Sequence, residues 1–163
     1  MNDPTAAGHG QEDNFLDMPG HLLRRCHQIG VAVFLEDCRA VDLTPLQFGL
    51  LAALERFGAM DQASLGRVAA LDRTTIVVVL GKLAQRDLVT RTPSRKDRRA
   101  KIVAITEAGR ALLAKAMPLA RQAQERMVEP LSPSERAQLT ALLAKMADGN
   151  NRLSRAPHSL PQA

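Results

Sequence analysis

Asp72 to Lys101, DRTTIVVVLGKLAQRDLVTRTPSRKDRRAK, constrains the fold of this chain more than any other stretch. It joins a helix-shaped segment with an exposed polar start to a hairpin dense in arginine. Nine basic residues (Arg73, Lys82, Arg86, Arg91, Arg95, Lys96, Arg98, Arg99, Lys101) face three acids (Asp72, Asp87, Asp97), a local balance of +6 against +5 for the whole chain. The basic excess is therefore concentrated here, which marks a face for a polyanion.

Which polyanion follows from the aromatic residues. The chain has no Trp or Tyr and four Phe (Phe15, Phe34, Phe48, Phe57), none inside the basic segment. Readers of single-stranded nucleic acid stack bases on aromatic platforms, so duplex DNA is the better fit. With 163 residues and 45% hydrophobic content, one compact domain plus an oligomerisation element is within reach. No apolar run is long enough to span a membrane, and MNDPTAAGHGQEDN lacks the blocks of a signal peptide, so a cytoplasmic location without membrane contact is expected. Cys26 and Cys38 sit twelve residues apart in a helical stretch, about 18 Å along the axis. That is beyond disulfide reach, and both are expected to be reduced core thiols.

Hydrophobic periodicity and capping signals divide the chain. A polar tail, residues 1–16, is expected to be disordered, as is a tail at 151–163. A first helix from about Pro19 to Ala40 is marked by Leu22, Cys26, Ile29 and Val33 and falls in a dimerisation segment, 17–42. Thr44, Pro45 and Gln47 open a second helix that runs to about Phe57 and stops at Gly58. Asp61 caps a third over Gln62 to Ala70, and Asp72 caps a fourth reaching about Asp87. Leu88 to Arg91 and Lys101 to Ile105 read as strands of a basic wing, completing a DNA-binding lobe at 43–106. Thr106 caps a fifth helix to about Glu129, bent at Pro118, and Ser132 with Glu135 opens a sixth. These two fill 107–150. The fold class is mainly α with a small β-wing: a winged helix-turn-helix with a helical dimerisation region from both termini.

In such a plan the second helix of the pair enters the major groove. If Ile76, Leu80 and Leu83 are buried, the opposite face presents Arg73, Thr74, Val77, Val78, Gly81 and Lys82. Arg73 matches the bidentate pattern of guanine. Thr74 and Thr75 reach bases or phosphates, and Val77 and Val78 offer apolar contact to thymine methyls. Val77 to Val79 span about 200° of helix and cannot all face one core. Gly81 in mid-helix costs about 1 kcal/mol relative to Ala and suggests a close approach of phosphate or neighbouring backbone. On the wing, Arg95, Lys96, Arg98 and Arg99 reach phosphates or the minor groove, and Asp97 orients an arginine.

DRRAKIVAITEAG, Asp97 to Gly109, and DLTPLQF, Asp42 to Phe48, together resemble the MarR family of bacterial winged-helix regulators, over about Pro19 to Met146. The resemblance implies an obligate homodimer on a pseudo-palindromic operator, usually repressing a nearby gene, and an effector pocket between the dimer helices and the DNA-binding lobe. Val77 and Val78 stand where many members carry polar base readers. Independently, Leu112, Leu113, Leu119, Met127, Leu139, Leu142, Leu143 and Met146 form more apolar face than the lobe can cover, and a second copy is the simplest cover. A two-fold dimer would set its reading helices roughly 34 Å apart.

For the effector, His21, Arg25 and Gln28 fall on one face of the first helix and supply cationic and amide donors for a carboxylate. PGHLLRRCHQIGVAVFLEDC is similar to a branch of the family that senses aromatic or N-heteroaromatic carboxylates such as hydroxynicotinate. Two alternatives remain open: a thiol-based redox sensor using Cys26, beside Arg24 and Arg25, and a nonspecific architectural DNA-binding protein. Nothing points to an enzyme, cofactor or metal. Phosphate-binding Gly loop, HExxH and GxSxG are absent, and Cys26 and His27 point about 100° apart on a helix.

Overall fold

The computed structural model describes residues 14–94 and 100–161. Five helices begin at a side chain that satisfies their first free N–H groups. In α2 (Pro45–Phe57) Thr44 and Gln47 close a reciprocal capping box. Asp61 caps α3 (Gln62–Val68), Asp72 caps α4 (Arg73–Gln85) and Thr106 caps α5 (Glu107–Met127). Ser132 and Glu135 box the start of α6 (Pro133–Gly149). The first helix, α1 (Pro19–Asp37), has no side-chain cap and starts on Pro19 instead, after a 3-10 turn at Phe15–Asp17. It stops short of Ala40 because Cys38 leads into a second 3-10 turn at Arg39–Val41, with Asp42 left-handed at φ 49°.

Two helix ends explain the tightness of the helix-turn-helix. After α3, Leu71 N–H donates to Gly66 C=O at 2.9 Å and Ala70 N–H to Arg67 C=O at 3.3 Å, with Ala70 at φ 51°. This is a Schellman closure with alanine in the position usually held by glycine. α4 ends the same way: Leu88 N–H reaches Leu83 C=O at 3.0 Å and Asp87, at φ 54°, reaches Ala84 C=O at 3.0 Å. Both closures turn the chain within three residues, and the second delivers it directly into the wing.

The sheet has three antiparallel strands in the order β1-β3-β2: β1 (Met60–Asp61), β2 (Val89–Pro93) and β3 (Lys101–Ile105). Val89 pairs with Ile105 and Pro93 with Lys101, so the wing is longer than Leu88 to Arg91 suggested. Two residues are too few to show a period, and β1 left no signal in the sequence. Its register sets Met60 opposite Val103.

The core lies where α2, α3, α4 and β3 meet, filled by Leu50, Leu51, Leu54, Leu65, Leu80 and Leu83, all fully buried. α5 extends it with Leu113, Ala116, Ala120 and Ala123. α1 packs along α5, closely enough that Gly30 lies 3.0 Å from Met127 Sδ at its hypothetical Cβ. Phe34 and Phe48 meet as a tilted pair at 5.6 Å, tying α1 to α2. Arg126, near the end of α5, pairs with Glu36 and Asp37 at the end of α1. By contrast α6 buries no residue within one chain, and Leu139, Leu142, Leu143 and Met146 are exposed.

Two expectations change. Cys38 is buried, and burial, then the charge of Asp37, pushes its thiol up, but Cys26 is exposed on α1 and is not a core thiol of the single chain. The stretch after α6 was expected to be disordered. It instead forms a 3-10 turn at Asn151–Leu153 and returns to bond α3, as its polar side chains close local hydrogen bonds that periodicity does not report. Residues 1–13 of the N-terminal tail lie outside the described residues. No helix among those described is long and apolar enough to cross a membrane.

The joint between wing and α5 is the tightest place in the fold. Thr106 N–H donates to Leu88 C=O at 3.1 Å, and a Cβ on Gly109 would stand 2.2 Å from that same oxygen. Gly109→Ala must push α5 off the wing, and overpacking of this kind costs about 1–3 kcal/mol. Urea unfolding should show that loss, with a native-like slope.

Candidate nucleic-acid interface

The reading face is built by α4 from its cap outward. The Asp72 carboxylate accepts the Thr74 and Thr75 N–H groups at 2.9 Å each and the Thr75 hydroxyl at 2.8 Å. These bonds, those from Thr75 foremost, hold the Asp72 carboxyl below its usual range. The cap stays ionised and pins the first turn. Ile76, Val79, Leu80 and Leu83 anchor the helix in the core, which turns Arg73, Thr74, Val77, Val78 and Lys82 to the outside.

The valine run divides as helical geometry requires: Val79 is 8% exposed, whereas Val77 is 42% and Val78 53% exposed. Leaving two large apolar residues in water beside Arg73 is costly unless something covers them, and a groove with thymine methyls is one such cover. Thr75 differs from its expected role. It is half-buried and its hydroxyl is committed to Asp72, so it positions the helix, and Thr74 is the threonine turned outward. At Gly81 nothing lies within 4 Å of the place a Cβ would take, so no neighbouring backbone accounts for it.

Two of the basic residues counted in the sequence are structural. Arg86 donates to the carbonyl oxygens of Asp42 and Val41 and lies 3.6 Å from the Asp42 carboxylate, bolting the end of α4 to the segment before α2. Arg91 donates to Gln62 Oε1 at 2.9 Å, and its Nε is buried without a protein partner. Neither contact spans fewer than 29 positions, which is why local charge counting misses them. On the wing, Ser94 N–H donates to Ala100 C=O at 2.9 Å and closes the base of the hairpin. Arg95, Lys96, Asp97, Arg98 and Arg99, the expected phosphate clamp, lie outside the described residues.

A cleft of about 600 Å³ opens between α3, the start of α4, the base of the wing and the C-terminal stretch. Arg67, Arg73, Arg91, Lys101 and Arg155 line it, with Asp61 and Asp72. Both acids serve as helix caps, Asp61 holding Ser64 through its N–H at 2.9 Å and its hydroxyl at 2.6 Å.

The predicted effector residues lie elsewhere, on α1. His21 is half-buried with its ring edge-to-face on Phe15 at 5.1 Å, and Arg25 is exposed. Gln28 accepts a hydrogen bond from Arg24 Nη1 at 2.9 Å, so the structure pairs the glutamine with Arg24. Phe15 and Arg24 thus join this face, to which the sequence assigned only His21, Arg25 and Gln28. None of the three borders the basic cleft. Among the described residues no cluster of ligating side chains is arranged for a metal.

Known proteins share this arrangement. A MarR family model matches residues 41–100, which carry α2, α3, α4 and the first long strand of the wing. The transcriptional repressor NicR of Pseudomonas putida is 40% identical over 131 residues, 80% of this chain and 83% of that protein. A solved structure of Bordetella bronchiseptica BpsR, described for regulation of its DNA binding by 6-hydroxynicotinic acid, has a TM-score of 0.79 and 36% identity. It covers 83% of this chain and 96% of that one. The repressor CouR bound to a 23-mer DNA duplex has a TM-score of 0.76 and 31% identity, covering 86% of this chain and 99% of that one.

The open space at Gly81 carries a prediction of its own. Gly81→Ala should raise the stability of the free protein by up to about 1 kcal/mol, since a helix interior gains that from losing glycine. Thermal unfolding in the absence of DNA reads it. If operator binding falls in the same variant, the duplex approaches the helix at this position.

Proposed function

The chain belongs to the MarR family of winged-helix DNA-binding transcriptional regulators, and on that premise we propose that it is a homodimeric, sequence-specific repressor released by a small aromatic acid. The observation that carries the reading is the face of α4. A helix held by four buried residues and an ionised cap offers Arg73, Thr74, Val77, Val78 and Lys82 together to the outside. Arg73 is assigned to guanine, the two valines to thymine methyls, and Thr74 and Lys82 to flanking bases or phosphates. Arg95, Lys96, Arg98 and Arg99 of the wing are assigned to the backbone.

The dimer is supported by what one chain leaves uncovered. Leu22, Leu23 and Ile29 on α1 and Leu142, Leu143 and Met146 on α6 are exposed at 39–57%. A second copy joined through segments 17–42 and 107–150 would cover both sets and place two copies of α4 on successive turns of a pseudo-palindromic operator. Cys26 stands on this same α1 surface. A dimer would cover it, which favours the ligand-sensing reading over a thiol switch.

For the effector we assign an aromatic or N-heteroaromatic carboxylate, held by His21, Arg25 and Gln28 with Arg24 beside them. The support is the donor set on α1 and the ligand named for BpsR, 6-hydroxynicotinic acid. A guanidinium is the natural fork for a carboxylate, and Phe15, edge-to-face with His21, brings aromatic surface beside the donors.

Two measurements test these assignments. Arg73→Ala should lose about 1–3 kcal/mol of discrimination per half-site between the operator and a scrambled duplex while leaving random binding nearly unchanged. Competition in a gel shift reads it. Equal loss on both duplexes removes Arg73 from base reading, and full displacement of the wild type by random DNA would indicate an architectural protein. For the effector, 6-hydroxynicotinic acid at 100 times its dissociation constant adds about 2.7 kcal/mol of stability. A thermal shift present in the wild type and lost in Arg25→Ala meets the expectation, and a shift retained in Arg25→Ala moves the site elsewhere.

A further inference from the structure

The stretch that follows α6 does not leave the molecule. Asn151 clamps it into a loop: Asn151 Nδ2 donates to His158 C=O at 2.8 Å, and His158 N–H donates back to Asn151 Oδ1 at 2.7 Å. Within the loop Ala156 N–H donates to Ser154 Oγ at 3.1 Å. Beyond it Ser159 N–H donates to Arg67 C=O at 3.2 Å, docking the loop on α3. The result sets Arg155, Ala156 and Pro157 on the wall of the cleft that Arg67, Arg73 and Lys101 also line. Arg155 is exposed there, and its charge adds to the hydrogen bonds from Thr75 and Thr74 that act on Asp72.

Charge decides what this loop is for. Residues 151–161, NRLSRAPHSLP, contain Arg152, Arg155 and His158 and no acid. A strap that occupied the DNA site in place of DNA would imitate phosphates and carry acids. This loop carries the charge that phosphates attract, and it lines the cleft at the start of α4, whose two acids, Asp61 and Asp72, already hold the first turns of α3 and α4. Two prolines, Pro157 and Pro161, limit the backbone freedom lost when it settles on a duplex.

We propose that the loop after α6 is a DNA-contacting arm, in which Arg155 adds a phosphate contact next to the recognition helix of its own protomer. The proposal rests on α4 being the groove-reading helix. The arm supplies affinity without sequence preference and extends the footprint along the backbone beyond the reach of α4 itself.

The test is the affinity of the full chain for the duplex upstream of its own gene and for a random duplex, by fluorescence anisotropy across a salt series. Arg155→Ala should weaken both by the same factor and flatten the slope of log affinity against log salt by about two for the bound dimer, the mark of one lost phosphate contact in each protomer. Arg155→Lys should keep the slope, since a phosphate accepts either cation. A chain ending at Asn150 should lose at least as much slope as Arg155→Ala. An unchanged slope in Arg155→Ala overturns the arm, and tighter binding by the chain ending at Asn150 overturns it in favour of an occluding strap. Failure of the wild type to bind either duplex is a different result: it removes the groove reading of α4 and the arm with it.

Discussion

The carbonyl oxygen of Leu88 is the point on which the rest of this structure depends. The N–H of the same residue closes the Schellman turn of α4 on Leu83 C=O, while this oxygen accepts the N–H of Thr106 and lies against Gly109 so closely that no side chain fits. Thr106 repeats the tie one residue earlier, its hydroxyl donating to Asp87 C=O at 2.7 Å and accepting Gly109 N–H at 3.0 Å. The two peptides on either side of Leu88 thus join the end of the reading helix, the first strand of the wing and the first turn of α5. Backbone bonds buried at such a junction are expensive to leave unmade, so the three elements move together or not at all.

Around that junction the polar side chains divide into two kinds of work. Asp61, Asp72, Thr106 and Ser132 are spent locally on helix starts, and their charge or hydroxyl is unavailable for recognition. Arg86, Arg91 and Arg126 are spent on long-range ties between elements. What remains unspent on the outer face of α4 is Arg73, Thr74 and Lys82, with two valines between them, and Gln85 at its end. A surface reached by such subtraction is better defined than a count of positive charges.

Much of this was legible in the sequence because it is encoded locally. Thr44 with Gln47 and Ser132 with Glu135 are spaced for reciprocal caps, and the structure makes both. The period of Ile76, Leu80 and Leu83 settled which valines face outward, since three consecutive residues cannot share one side of a helix. The wing was recognisable from the two strand-like runs, Leu88 to Arg91 and Lys101 to Ile105, on either side of a charged tip. What escaped detection depends on partners far along the chain. Arg86 counts as a basic residue until the carbonyls of Val41 and Asp42 are brought to it, and Arg91 until Gln62 is. β1 exists only because β3 offers it an edge. The return of residues 151–161 to α3 follows from Asn151 finding His158, a pairing that no periodicity announces. Cys26 shows the opposite error: its helical phase was right, but the stripe it belongs to faces out of the single chain.

Pro118 sits within a continuous α5, and that helix of 21 residues is about 30 Å long from the Leu88 junction to its far end. It meets the wing through a joint with no slack and meets α1 near its other end, at Arg126 and Met127. Such an element is a lever with a short arm and a long one. A tilt of about 5° at the α1 end, small enough to be absorbed by side-chain repacking, is carried by a helix of that length as a displacement of roughly 2–3 Å. That is comparable to a hydrogen-bond length, so registration of α4 with a base edge would not survive it.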